Sequence, residues 1–336
     1  MYISKFRANG EEKMTLTQLA KLAHVSVSTA SKAFSMSPEV NEETRKIIFD
    51  IAKQHDCFKK YYNANYPKLV IAIICPDMTS SSGLIKNLQS RLSEYNCEIC
   101  ATASGFSTER ERELVEYYEN YVKVDGIILL SPHSIPPADI EAHVAVIDPY
   151  DESVLDCEDV IVAMRSVDNA CEEAIDHFIS RGITDIAFIG DRRSSSKLEL
   201  FEKFITEKLG SVDRDKISIS DDITPRAGYE AINVFLDRGY VPRAVISAHF
   251  NCTVGAAKAV FQRGLKIPED VAMISFGNSG TMEFVSPSLT GVDSYDYECC
   301  IRVADSLINK INGQSYEKNI FFNSAIKYRR SSEIDI

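Results

Sequence analysis

The segment Ser26-Val27-Ser28-Thr29-Ala30-Ser31-Lys32 sets four hydroxyls and an ammonium group at helical spacing. Side chains this small allow close approach to a surface, and their polar groups can hydrogen-bond phosphate oxygens and base edges in a major groove. A helix that only faces water more often carries Glu/Lys pairs on its outer side. Other residues supply the raw material of an enzyme site: Ser194-Ser195-Ser196, six histidines and 49 carboxylates. The motifs that would organise them are missing. There is no G-x-S-x-G elbow, no H-E-x-x-H, no G-x-x-x-x-G-K-[ST] and no paired metal-ligand run. Gly190–Ser196 follows an apolar strand and reads as a solvated loop in preference to an anion site. Cys97-x-x-Cys100 has redox or zinc spacing, yet it lacks a second ligand pair and lies in a strand-like segment. No catalytic residue, metal or cofactor is expected.

Three short helices must hold the hydroxyl-rich face. Thr15 and Gln18 have the spacing of a capping box, and Leu16, Leu19, Ala20 and Ala23 recur on one side of the helix that follows. After a break at His24-Val25, Ser26 caps a second helix through Phe34, whose inner face is Ala30, Ala33 and Phe34. A third starts at Asn41, places Glu42 and Glu43 in its first turn, and runs to about Gln54 with Ile47, Ile48, Ile51 and Ala52 inward. Two helices joined by a three- to four-residue turn, with a third behind, make a helix-turn-helix. Charge divides along the chain to match. Residues 1–68 carry +4 and the remainder −16, for a net −12. A basic head on an acidic body suits a protein that touches a polyanion with one end only.

From Leu69 onward, apolar strands alternate with helices in two successive sets. The first set has strands at Leu69–Ile74, Glu98–Ala101, Gly126–Leu130, Val144–Ile147 and Asp159–Val162, with helices at Leu84–Tyr95 and Glu109–Tyr121. The second has strands at Ile186–Ile189, Ile217–Ile219, Ala244–Ser247 and Val271–Phe276. Its helices are Val167–Arg181, Lys197–Leu209, Ala227–Arg238 and Thr253–Gln262. This pattern predicts an all-α headpiece followed by α/β structure, two doubly wound lobes with parallel sheets, and a ligand cleft at the carboxyl ends of the strands. The longest apolar runs are far below the ~20 residues of a membrane span. The start Met1–Arg7 has no signal-peptide core, and the recognisable pattern opens at Met14. Nine cysteines without a disulfide framework fit a reduced cytoplasm, with Cys75, Cys97, Cys252 and Cys300 as small buried hydrophobes and Cys299-Cys300 as helix packing.

The stretch from Thr15 to Lys32, followed by Ser37-Pro38-Glu39-Val40-Asn41-Glu42-Glu43-Thr44-Arg45, resembles the headpiece of the LacI/GalR family of transcription regulators. The resemblance continues through Val124-Asp125-Gly126, Arg181-Gly182, Gly228-Tyr229, Ile267-Pro268-Glu269-Asp270 and Pro287-Ser288-Leu289-Thr290. It implies a type I periplasmic-binding-protein-like sensor used as a homodimer. It also implies that Val27 and Ser28 read bases, that Lys32 replaces a base-contacting Arg, and that Thr15, Ser26, Thr29, Ser31 and Asn41 anchor phosphate or cap helices. His24 stands where the family has Gly, so a non-Gly residue must take a conformation that Gly adopts most easily. Lys at position 32 lacks the bidentate fork of Arg. The expected domains are a DNA reader at 14–57, a hinge at 58–68 and a sensor at 69–330. Its first lobe is about 69–162 and 291–320, its second about 163–290 and 321–330, with crossings near Ala163, Gly291 and Phe321. The hinge lacks the family's Ala-Arg-Ser-Leu wedge. Lys59 and Lys60 with Tyr61, Tyr62 or Tyr66 are its candidates for DNA contact, beside the preferred reading as a basic tether.

The effector cleft departs further from the family. Thr79, Ser80 and Ser82 follow the first strand, Lys197 holds an Arg position with Leu200 in place of Gly, and His249, Phe250 and Asn278 occupy turns that usually carry Asn and Asp. Loss of carboxylates beside a retained cation suggests an anionic or less hydroxylated ligand. The alternatives are a protein co-regulator, a sugar held by altered contacts, or a sensor domain kept only for dimerisation. The expected function is a dimeric repressor of a pseudo-palindromic double-stranded operator. A stand-alone solute-binding protein would call for a signal peptide and no helix-turn-helix, and the sequence shows the reverse.

Overall fold

The computed structural model describes residues 14–55, 57–61, 69–134, 136, 140–192 and 195–334, without the side chains of Lys59 and Lys60. The chain divides into two compact units at about Leu69.

The first unit is helical: α1 Leu16–Leu22, α2 Val27–Phe34, α3 Glu42–Gln54 and the single turn α4 Phe58–Tyr61. Each of the first three begins at its expected cap. Thr15 and Gln18 form the full capping box, Ser26 Oγ accepts from Thr29 N at 3.0 Å, and Asn41 Oδ1 accepts from Thr44 N at 2.8 Å. These bonds satisfy amides that have no partner within their own helix. Leu19, Ala20, Ala30, Ala33, Phe34, Ile48 and Ala52 meet in one small core. Ile47, expected inward, is 49% exposed, because at i−1 from Ile48 it points off the buried stripe. The ring of Phe34 packs against Phe49, Phe58 and Tyr61 at centroid distances of 5.4, 6.0 and 5.7 Å.

The second unit holds two six-stranded sheets. The first contains β1 Leu69–Cys75, β2 Cys97–Ala103, β3 Gly126–Leu130, β4 His143–Ile147, β5 Val160–Ser166 and β11 Asn319–Asn323, in the order β11-β5-β4-β3-β1-β2. The second contains β6 Ile186–Asp191, β7 Ile217–Ser220, β8 Ala244–Ser247, β9 Ala272–Phe276, β10 Thr290–Asp293 and β12 Ala325–Lys327, in the order β12-β10-β9-β8-β6-β7. Central strands such as β3 and β9 are buried along their whole length. That is why they read as unbroken apolar runs, as parallel strands covered on both faces must. Helices α5 Ser82–Glu94, α6 Thr108–Glu116, α7 Asp168–Ile179, α8 Ser195–Leu209, α9 Pro225–Asp237, α10 Phe250–Gln262 and α11 Asp296–Ile311 flank the sheets.

The chain passes between sheets after Ser166, Asp293 and Asn323, a few residues beyond the expected Ala163, Gly291 and Phe321. Ser324 alone separates β11 from β12, and its N–H donates to Ser166 O at 2.9 Å. Helices α9 and α10 lie in close contact through Gly228 and Gly255. A methyl carbon on Gly228 would fall 2.0 Å from Cys252 O, and one on Gly255 would fall 1.7 Å from Pro225 O. Cys75, Cys97, Cys252, Cys299 and Cys300 are buried, and Cys97 and Cys100 both lie in β2. Burial pushes the Cys252 and Cys299 thiols up to about 12.

Candidate nucleic-acid interface and sensor cleft

The outer face of α2 presents Val27, Ser28 and Ser31 to solvent, with Val27 43% exposed. No acidic side chain lies in its first turn to oppose an anion at the positive end of the helix dipole. Ser26 and Thr29 join hydroxyls at 2.8 Å, so Thr29 supports the cap and is only half exposed. Thr15 and Asn41 commit their side-chain oxygens to their own helix starts. Lys32 sits one turn beyond Ser28 and gives its ammonium to Glu39 Oε2 at 2.5 Å. His24 takes the left-handed conformation that its position demands, with φ 53°.

The turn between α2 and α3 is fixed from below. Arg45, largely buried, donates to Ser37 O at 2.7 Å and Val40 O at 2.9 Å. Glu39 lies between those two carbonyls and is thereby held beside the end of α2. In the linker, Tyr61, one of three candidates for DNA contact, packs inward. Its ring fills the aromatic cluster under Phe34 and its hydroxyl donates to Met14 O at 2.8 Å, so it is spent inside the headpiece. The side chains of Lys59 and Lys60, together with Tyr62 and Tyr66, lie outside the described residues.

In the second unit the expected cleft residues sit at strand ends, but most are engaged internally. Ser80 N donates to Asp77 Oδ2 at 2.7 Å, and Ser82 Oγ donates to Thr79 O at 2.8 Å, so the exposed loop after β1 ties itself together. Lys197 on α8 donates to Ala248 O at 2.9 Å and lies over the Phe276 ring at 5.9 Å. Burial drives its ammonium down to about 8, against the pull of Asp191. His249 Nε2 lies 3.2 Å from Asp191 Oδ2. Burial and the Lys197 charge together lower its imidazole to about 4, so it is neutral at pH 7. Phe250 starts α10 half-buried against the lobe core, and Asn278 Oδ1 accepts from Arg329 Nη2 at 3.0 Å.

Four charged residues at the same strand ends escaped sequence reading: Asp148 after β4, Arg165 in β5, Asp191 ending β6, and Asp296 opening α11. Arg165 Nε donates to Asp148 Oδ2 at 2.9 Å, its backbone N–H donates to Asp148 Oδ1 at 2.9 Å, and its guanidinium also pairs with Asp296. Three carboxylates therefore face two cations, Lys197 and Arg165. The cleft has not lost its anionic groups; they come from strand ends that the family turns did not mark. The rule that ligands gather at carboxyl ends of parallel strands was the available signal.

Comparison with known proteins agrees with this architecture. Residues 175–332 match the periplasmic binding protein-like domain. The probable HTH-type transcriptional repressor ExuR of Bacillus subtilis is 24% identical over 322 residues, covering 89% of this chain and 92% of that protein. The HTH-type transcriptional regulator RegA of Clostridium saccharobutylicum is 24% identical, with 88% and 93% covered. Among solved structures, the lac repressor dimer bound to operator and the anti-inducer ONPF superposes with a TM-score of 0.70 at 17% identity, covering 96% of this chain and 99% of that one. The complex of the transcriptional regulator CelR with cellobiose gives 0.65 at 22% identity, with 95% and 99% covered. A helix-turn-helix reader on a two-lobed sensor defines a DNA-binding transcription regulator. The chain resembles LacI-type transcription regulators over nearly its whole length.

Proposed function

We propose that the protein is a homodimeric repressor that reads a pseudo-palindromic operator through α2, with its DNA affinity set at the two-lobed domain. The observation that carries this reading is the α2 face: small, hydroxylated and exposed at Val27, Ser28 and Ser31, with its start fixed by the Ser26 cap. Ser26 and Thr29 order the helix start, Thr15 and Asn41 order the neighbouring starts, and Lys59 and Lys60 supply a basic tether. Two such headpieces, related by a twofold axis, read half-sites in successive major grooves. The proposed contact between copies is the apolar groove lined by Val254, Phe261 and Val285, together with Phe284, the chain neighbour of Val285 and 88% exposed, because contiguous exposed apolar surface marks an interaction site. No described helix is long and apolar enough to cross a membrane, and the proposed action takes place on DNA in the cytoplasm without catalysis.

The effector site is proposed between the lobes, at Thr79, Ser80, Ser82, Lys197, His249, Phe250 and Asn278, with Asp148, Arg165, Asp191 and Asp296 added. A second reading is favoured by the internal partners of Lys197, His249 and Asn278: a sensor that no longer answers a small molecule and instead dimerises or receives a protein co-regulator. Gel retardation of chromosomal fragments tests the first proposal. No shift of any fragment in dilute salt, with folding verified by circular dichroism, would end it. Isothermal titration with sugars, sugar phosphates and nucleobases separates the effector readings, since uniform absence of heat leaves only the second.

A further inference from the structure

Lys32 is the single charged residue of α2, and it does not stand alone. Its ammonium and the Glu39 carboxylate meet at 2.5 Å, with side chains 45% and 66% exposed. The carboxylate is placed there by the backbone, because Arg45 grips the carbonyls of Ser37 and Val40 on either side of it. An exposed ion pair of this kind adds little to folding. It also makes a poor phosphate clamp, since any phosphate drawn to Lys32 meets the negative charge of Glu39 at the same spot.

We propose that Lys32 and Glu39 act as one composite reader of a G·C base pair, with Glu39 as a specificity-determining residue. This rests on the reading of α2 as the recognition helix. In the major groove guanine offers the acceptors N7 and O6, and cytosine offers the donor N4. O6 and N4 are hydrogen-bonded to each other within the pair and therefore lie about 2.9 Å apart. A donor and an acceptor held side by side at the tip of α2 match that edge: the ammonium takes O6 with N7, and the carboxylate accepts from N4. An A·T pair sets the adenine N6 donor between the acceptors N7 and O4, which leaves the ammonium with one adjacent acceptor in place of two and puts O4, an acceptor, where the carboxylate needs a donor. The carboxylate also repels phosphate, so it lowers affinity for duplexes that lack the matching edge.

The test is selection of binding sites by the full-length protein from a random duplex pool, run in parallel for wild type, Glu39→Gln and Glu39→Ala. Wild type is expected to fix G·C at one position in each half-site. Both variants are expected to lose that preference by roughly tenfold while keeping the rest of the motif. Both should also bind unrelated duplex more tightly in dilute salt, because a negative charge has left the interface. Glu39 is exposed, and matching circular dichroism melts confirm that the variants fold. An unchanged motif in both variants would overturn the composite reader and leave the regulator reading intact. Failure of wild type to select any motif would instead remove the reading on which the composite reader depends.

Discussion

Replacing Gly255 with Ala is expected to loosen the second lobe measurably. The new methyl carbon would sit 1.7 Å from Pro225 O, 2.6 Å from Pro225 C and 2.8 Å from Tyr229 N. All three atoms are backbone, so no side chain can swing aside, and α9 and α10 must part by more than about 1 Å to restore ordinary contact. Parting them opens the core shared by Ile232, Phe235, Ala256 and Val260. Overpacking costs about 1–3 kcal/mol, and this site belongs at the upper end, because the strain is shared by two rigid helices. The helix preference of Ala over Gly returns about 1 kcal/mol. A net loss of about 2 kcal/mol corresponds to a fall in Tm of about 4–8 °C. Gly83→Ala is the control. It lies in the first turn of α5, where an added methyl meets nothing within 4 Å, and stability there should hold or rise by up to about 1 kcal/mol. Urea titration followed by far-UV circular dichroism reads both variants. Equal midpoints for Gly255→Ala and Gly83→Ala would refute the close crossing of α9 and α10.

Ser26→Ala removes the acceptor for Thr29 N and the partner of its hydroxyl, and should cost the headpiece about 1 kcal/mol and weaken operator retardation; unchanged amide-exchange protection at the start of α2 would contradict the capping role. His249 has its imidazole lowered to about 4 in the fold, so the unfolded chain takes up a proton first as pH falls. Stability should therefore decline from about pH 6.5 toward pH 4, and His249→Gln should flatten that decline in urea midpoints; parallel declines would show that other groups cause it. Phe284→Asp should convert a dimer to monomers in analytical ultracentrifugation, and an unaltered sedimentation coefficient would move the interface elsewhere.

The headpiece was legible in the sequence because each signal there is local. A cap, a short apolar stripe and a polar outer face all fall within one or two turns, so Thr15, Ser26 and Asn41 are found where spacing puts them. The strands of both lobes were legible for a similar reason, since burial on both faces leaves unbroken apolar runs. Three strands escaped. Thr290–Asp293 has four residues including a glycine, Ala325–Lys327 has three, and Asn319–Asn323 is an edge strand with polar ends. The cleft was the least legible part. Arg165 and Asp296 are 131 residues apart, and nothing in either neighbourhood announces the other. The pairing of Lys32 with Glu39 escaped for the same reason on a smaller scale, because it depends on how Arg45 folds the intervening turn.

The single residue between β11 and β12 restricts what the two lobes can do. Consecutive α-carbons are about 3.8 Å apart, so Ser324 has no slack to pay out, and its bond to Ser166 O pins it to a neighbouring crossing. Sliding the sheets apart would tear that joint, whereas rotation about it leaves the joint intact. Relative motion is thereby reduced to a swing about an axis through Ser166 and Ser324, small at the pivot and wide at the far rim. Arg165 stands next to that axis, where a modest change of angle is enough to alter its grip on Asp148 and Asp296.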